Sequence, residues 1–367
     1  MLSRTTPRLL AVVFTVMILL FVLTGFLTRS YHREKIERAR QLYEAGQRHA
    51  DEGRFEEAIE CYSEALTMDR EAPEYRQALA LALMEAGRTG EAETYFLELT
   101  AGDPANGLAN LMLARIHAGL GDLEKAQGFY QRAIYGFWPE DPVSRRTETR
   151  FELVGLLAQA GENLLARAEL LRLLEEIPED PEAMKQIARL FLDVGDPENA
   201  ASLFGRVAEK NPRDAQAHAG LGDAEFELGH YYSARTAYTY ALLHNPGDLQ
   251  SSMQRDLATE VIELDPMRRR ISSGQRLTVS RQLVARSLSA VEYCLPENLE
   301  ELPEEFREPV NRARDVAVRK IRQPATAEAV EANIDLAEQL RQFRINHCAA
   351  PPVPDRALEL VLESLAD

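Results

Sequence analysis

The sequence predicts an all-α chain made of stacked helical hairpins. Gly53, Gly87 and Gly121 stand 34 residues apart, and so do Gly161, Gly195 and Gly229, so one structural unit recurs along much of the chain. The residues around each glycine recur with it. No segment reads as a β-strand. Length and composition agree with this picture. With 367 residues, 45% hydrophobic and 28% charged, the chain is long enough for a core and for more than one structural block.

The formal net charge is -17 and the isoelectric point about 5.0, which argues against a general nucleic-acid binder, because that function needs a basic face. Otherwise the acidic balance speaks to solubility.

Residues 1–8 form a short tail with Arg4 and Arg8. Residues 9–27, Leu9 to Leu27, carry no charge. As a helix they cover about 28 Å at 1.5 Å per residue, close to the ~30 Å hydrocarbon thickness of a bilayer, and predict a transmembrane anchor. A cleaved signal peptide has a shorter apolar region followed by a small-residue site. Here the run leads straight into Arg29, Arg33 and Lys35 without a cysteine for lipid attachment. Residues 28–38 are expected to continue as a charged juxtamembrane helix into the first repeat, with no Gly/Ser-rich linker and hence little slack. A strict count of flanking Lys and Arg (Arg29, Arg33, Lys35, Arg38 and Arg40 after the run) favours the carboxyl side inside. A short positive tail is itself hard to translocate, while long domains cross largely regardless of charge. The reading adopted is tail inside and repeats outside, in a bacterium the periplasmic side of the inner membrane.

Within the repeats, alanine follows each glycine by five positions (Ala58, Ala92, Ala126, Ala166, Ala200, Ala234). An aromatic residue or leucine follows by nine (Tyr62, Phe96, Tyr130, Leu170, Phe204, Tyr238), and a small or aliphatic residue precedes by seven (Gly46, Ala80, Ala114, Val154, Ala188, Gly222). Small residues let two helices approach, and the large one fills the hole between neighbouring pairs. The glycine suits the left-handed position that ends the first helix of a pair. Asp103-Pro104, Asn211-Pro212 and Asn245-Pro246 close the second, since the residue before proline avoids helical geometry. Each pair has an apolar face that it cannot bury alone, so the units must stack.

This pattern resembles the tetratricopeptide repeat (TPR) family, a pair of antiparallel helices per 34 residues. The resemblance implies an α-solenoid of about six helix pairs, with repeats one to three in residues 39–140 and four to six in 147–248. The first unit departs from the pattern with Arg70 where the others end in proline, and Ala72-Pro73 restores a stop nearby. Six extra residues between units three and four hold the only tryptophan, Trp138, and two prolines, Pro139 and Pro142. Of an exposed recognition loop and a kink with Trp138 packed on its neighbours, the second is favoured, because a large aromatic body gains more by burial.

Residues 249–266 read as a capping helix for the last repeat. Residues 267–367 form a C-terminal helical region, with helices expected over 277–295, 304–322, 326–346 and 356–365 and a stiff connector of Pro351, Pro352 and Pro354. Its basic stretch (Arg268, Arg269, Arg270, Arg276, Arg281, Arg286) reads as a solvated or ion-paired face, with a phosphate or anionic-lipid role as the alternative.

No catalytic or nucleotide-binding motif is present, and the seven histidines form no metal-spaced pair, so neither catalytic residues nor a metal or cofactor is assigned. Cys61 lies mid-helix beside Tyr62 and reads as a small packing residue. Cys294 and Cys348, at predicted helix ends, are the candidates for a disulfide on the extracytoplasmic side, a pairing that the sequence leaves open.

The resemblance places function in the concave groove lined by the inner helix of each pair. Positions of this chain that match the family's groove are Tyr43, Gln47, Gln77, Leu81, Met84, Leu111, Arg115, Phe151, Lys185, Arg189, Leu192, Asp223 and Phe226. Their mixture of apolar residues and a few cations suits a protein segment with apolar anchors and some acidic groups. Where the family's terminal-carboxylate clamp has lysine and asparagine, this chain has Tyr43 and Gln47, so that activity is not expected. The expectation is thus a non-enzymatic, membrane-anchored scaffold or assembly factor that binds protein, with no nucleic-acid or small-molecule substrate evident. Two alternatives stay open: a cytoplasm-facing regulator that recruits soluble proteins to a membrane complex, and an enzyme or lipid-binding module in 267–367.

Overall fold

A computed structural model describes residues 6–176, 180–296, 299–318, 324–348 and 355–366, with side chains from residue 14 onward. Arg4, Pro178, the connector at 351–354 and the end of the helix expected over 304–322 fall outside these residues. Among the described residues the regular structure is helical, with one isolated parallel bridge, Asn106 to Phe137. The chain divides into two compact units, Met1–Glu169 and Leu170–Asp367.

The first unit opens with α1 (Thr6–Asp51), a single helix of 46 residues. The helix starts inside the expected tail and passes without a break through the apolar run, the charged stretch and the first inner helix of the solenoid. No glycine or proline pair interrupts it, and Gly25 alone has nothing near its Cα that a side chain would meet. From Phe14 to Leu27 the large apolar side chains are exposed, Phe21 by 79%. Ala39 is the first fully buried residue. By length and composition this helix is sufficient to cross a membrane, with a mean hydropathy of 1.6 in its apolar window.

Behind α1 come α2 (Phe55–Met68), α3 (Pro73–Glu85), α4 (Thr89–Gly102), α5 (Gly107–Gly119), α6 (Leu123–Ile134), α7 (Pro142–Gln159) and α8 (Asn163–Glu176), the last crossing the unit boundary. From α1 to α7 consecutive helices pack on each other. All six glycines of the 34-residue ladder have φ between 70° and 76°, the left-handed geometry that ends the first helix of each pair. The alanines five positions on are fully buried, as are Phe96 and Phe204; Tyr62 and Tyr130 are each 4% exposed. Asp103, Asn211 and Asn245 are the C-caps of their helices and leave the helical region, with φ of -137°, -130° and -136° and ψ of 93°, 83° and 79°, as their Asx-Pro pairs predict.

The insertion adopts the packed arrangement for its tryptophan. Trp138 is 6% exposed, its Nε1–H donates to the Ala133 carbonyl at 2.9 Å, and its ring lies where a Cβ at Gly107 would approach to 2.4 Å. Only glycine leaves room there. Phe137 goes the other way. Its main chain is pinned by Phe137 N–H to Ala105 O (2.6 Å) and Gly107 N–H to Phe137 O (3.0 Å), while its ring is 67% exposed.

The second unit holds α9 (Pro181–Asp193), α10 (Pro197–Lys210), α11 (Ala215–Glu227), α12 (Tyr231–His244) and α13 (Leu249–Leu264), then α14 (Ser273–Glu292), α15 (Glu304–Ala317), α16 (Ala327–His347) and α17 (Arg356–Ala366). The last four do not form a separate body. Val261 and Leu264 of α13 share one core with Val284, Val310, Leu340 and Val361 from the later helices. Leu360 of α17 also reaches the cluster of Phe226, Tyr238 and Ala258, so the chain end folds back onto the last repeat. Asn333 donates to Ser280 Oγ (2.9 Å) across α14 and α16, which satisfies a polar pair inside this core. Of the basic stretch, Arg286 is ion-paired: its guanidinium holds Asp355 through two 2.7 Å bonds and Glu260 at 2.7 Å. Cys294 and Cys348 have Cα atoms 5.6 Å apart, inside the range that a disulfide spans. Cys61 is partly buried, and burial raises its thiol pKa.

Candidate functional site: the inner helix faces

In the first unit the inner face comes from α1, α3, α5 and α7. Among the described residues, two cavities on it stand out. One, of about 470 Å³, is floored by Tyr43, Phe55, Tyr62, Ala78 and Leu81 and rimmed by Gln47, Asp51, Glu74, Gln77 and Glu85. Tyr43 is fixed by its neighbours: its ring centroid lies 4.9 Å from Tyr75 and 5.6 Å from Tyr62, and Gln47 Nε2 donates to its hydroxyl at 3.0 Å. Burial, reinforced by the charges at Tyr43 and Asp51, pushes the Tyr62 phenol up to about 12. The second cavity, of about 490 Å³, is bounded by Asp103, Asn106, Leu108, Phe137, Trp138, Pro139, Glu140 and Arg145, and it shares Gln77 with the first.

The structure therefore brings Tyr43, Gln47, Gln77 and Leu81 together around one opening. Met84 and Phe151 are partly buried outside both cavities, and Leu111 is buried, only 6% exposed. Arg115 faces solvent, but its guanidinium is held by Glu152 in two hydrogen bonds of 2.9 and 2.6 Å, so its charge is already neutralised.

In the second unit a cavity of about 490 Å³ is lined by Lys185 and Arg189 with Asp180, Glu182, Gln186 and Gln216. Lys185 is 5% exposed, and its Nζ lies 2.9 Å from both Asp214 and Glu182. Arg189 is exposed and Leu192 partly so, whereas Phe226 is 8% exposed and stacks edge-on against Tyr231. Leu111, Lys185 and Phe226, expected in the groove, are thus packed or paired and offer little surface to a partner. For Phe226 the reason is the fold-back of α17, whose Arg356 guanidinium lies 6.0 Å from the ring centre. Helical periodicity gave no sign of that contact.

Asp223 accepts a 2.8 Å hydrogen bond from the Tyr238 hydroxyl, which lowers its pKa, as does Arg189. Burial outweighs both, and with a contribution from Asp248 it leaves the Asp223 carboxyl above the usual aspartate range. Glu227 is raised by burial, then by Asp223 and Asp193. A carboxyl raised in the folded state takes up its proton before the unfolded chain does. Its stabilising contribution is present at low pH and is lost as pH rises from the ordinary aspartate value through the raised one. Asp223→Asn removes this term. The wild-type-minus-variant stability, measured by urea unfolding at a series of pH values, is expected to fall with rising pH across that window. A difference that stays flat would show that Asp223 titrates normally.

What helical periodicity did not reveal is the acidic rim. Asp51, Glu74, Glu85, Asp103 and Glu140 line the two openings of the first unit. Acidic residues occur throughout this chain, and only their three-dimensional placement sets these five apart.

A stacked helical-hairpin solenoid with openings along its inner face defines a repeat-type interaction module. A family model described as tetratricopeptide repeat matches residues 43–106, 78–142 and 185–250, and these repeats are tetratricopeptide repeats. Among curated proteins the chain is similar to "Protein CTR9 homolog" of Arabidopsis thaliana, 30% identical over 134 residues (35% of this chain, 12% of that protein). It is also similar to "TPR repeat-containing thioredoxin TTL4" of the same plant, 31% identical over 108 residues (29% and 16%). The chain spans less than a fifth of the length of these relatives. Among solved structures it resembles YrrB, described as a TPR protein with an unusual peptide-binding site, at 18% identity and a TM-score of 0.42, covering 54% of this chain and 99% of that one. It also resembles Pseudomonas aeruginosa PilF, at 15% identity and a TM-score of 0.40, covering 61% and 99%.

Proposed function

We propose that this protein is a membrane-anchored scaffold or assembly factor that holds a partner's polypeptide segment in the inner groove of its repeats. Repeats of this class generally serve as non-enzymatic interaction modules. The observation that carries the reading is the continuity of α1: one helix supplies an exposed apolar run and, farther along, the Tyr43 and Gln47 edge of the groove. Anchoring confines the groove to the membrane surface and raises the partner's effective concentration there. The extracytoplasmic side is the favoured location, in a bacterium the periplasmic side of the inner membrane. A Cys294–Cys348 disulfide belongs to this reading, since such bonds persist in oxidising compartments. The domain plan proposed with it is an anchor over 9–27, repeats over 39–140 and 147–248, a cap over 249–266 and a helical region over 267–367.

Two experiments test it. Reporter fusions after residue 367, one active only outside the cytoplasm and one fluorescent only inside, are expected to report the outside; an inside signal would turn the reading to a cytoplasm-facing regulator. Leu81→Glu is expected to abolish crosslinking of the partner while leaving the circular dichroism unchanged, because it sets a charge on the apolar floor of the groove. If capture survives Leu81→Glu but fails on charge reversal at Arg268, Arg269 and Arg270, function lies in the C-terminal helices.

A further inference from the structure

Resting on the groove reading above, we propose that the groove of the first unit takes an extended, positively charged polypeptide segment, in which lysine or arginine alternates with an aromatic or aliphatic anchor. The expectation from matched groove positions was the reverse, a segment with acidic groups. The structure redirects it because Arg115, the one matched groove cation of this unit, is held by Glu152, and Arg145, the one cation lining either opening, lies 3.3 Å from Glu148.

The acids of the rim are in the opposite condition. Several acids elsewhere on this unit are matched, Glu98 by Arg76 at 3.0 Å, and Glu56 and Glu91 by Arg88 at 3.3 and 2.8 Å. Among the described residues no such pair forms at Asp51, Glu74, Glu85, Asp103 or Glu140, all of them exposed. Five carboxylates around two apolar-floored openings create a field that favours cationic side chains.

The insertion adds an independent element. Phe137 stands 67% exposed at the second opening, held by its two main-chain hydrogen bonds rather than free to fold inward. Glu140 and Asp103 line the same opening. An aromatic face beside carboxylates suits a lysine ammonium or an arginine guanidinium, which the ring attracts and the acids neutralise. Tyr43, Tyr62 and Leu81 in the first opening suit the apolar anchor. The two openings adjoin through Gln77 across successive inner helices, so an extended chain can address both.

Trp138, the only tryptophan, lines the second opening and reports its occupancy directly. The full-length protein in nanodiscs would be titrated with acetyl-Lys-Leu-Lys-Phe-Lys-amide and with its counterpart acetyl-Glu-Leu-Glu-Phe-Glu-amide. Trp138 emission and the anisotropy of fluorescein-labelled peptides are both followed. The cationic peptide is expected to bind, to change Trp138 emission and to weaken as salt rises, and the acidic one to do none of these. The Glu74→Lys, Glu85→Lys double variant, at exposed positions, is expected to weaken the cationic peptide about tenfold. Ala78→Phe fills the first opening without changing charge and is expected to weaken it too. No binding of the cationic peptide, or binding unmoved by the double charge reversal, overturns the proposal. Preference for the acidic peptide, still sensitive to Ala78→Phe, overturns it while leaving the groove reading intact. Binding of either peptide unaffected by Ala78→Phe removes the groove reading and the proposal together.

Discussion

Replacing Phe204 with alanine is expected to cost the second unit about 3–5 kcal/mol of stability. The ring on α10 is fully buried, and it packs straight onto the backbone of α11, where a Cβ at Gly220 would come within 2.4 Å of it. Because the facing position is a glycine, no side chain there can swing into the space left behind. The cavity persists, and its cost adds to the lost transfer energy. A repeat array need not unfold in one step, so urea denaturation should be paired with hydrogen exchange of the α10 and α11 amides. A loss of under about 1 kcal/mol would mean that the helices close over the gap.

Glu169→Ala in the first unit is expected to cost about 3–5 kcal/mol, by a different route. Arg150 is 1% exposed and Glu169 5%, with Arg150 Nε 3.2 Å from Glu169 Oε2. Gln131 Nε2 donates to the other carboxylate oxygen at 2.9 Å. Removing the carboxylate leaves a guanidinium charge in a dry site with this counter-charge gone. The intact pair itself gives little net stability, because desolvating both ions offsets their attraction. Arg150→Met combined with Glu169→Leu should therefore recover most of the loss, which thermal and urea unfolding of both variants would measure. A double variant no better than Glu169→Ala would mean that the site depends on the charge of Arg150 rather than on its volume.

The repeat architecture was legible in the sequence because its signals are local. A left-handed glycine, an Asx-Pro stop and an alanine facing a large ring each act within a few residues, and the 34-residue period puts them in phase. Burial of Trp138 was expected on another ground, that a large aromatic body gains by burial, while its slot at Gly107, far back in the chain, shows only in the fold. What stayed hidden depends on distant contacts. Phe226 matches the groove pattern, but α17, more than a hundred residues later in the chain, covers it. Lys185 and Arg115 read as free cations until their partners Asp214 and Glu152 are seen. The acidic rim needs the stacking of successive inner helices to become a set at all.

The unbroken α1 has a mechanical consequence. Between Leu27 and the first core residue, Ala39, the helix rises about 18 Å without a joint. If the apolar run spans a bilayer as proposed, this length acts as a rigid post. It fixes the height at which the first opening meets its visitor and turns any tilt of the span into a swing of the opening. The protein would then measure distance from the lipid surface as well as recognise a segment, and a target would have to present that segment at the matching height.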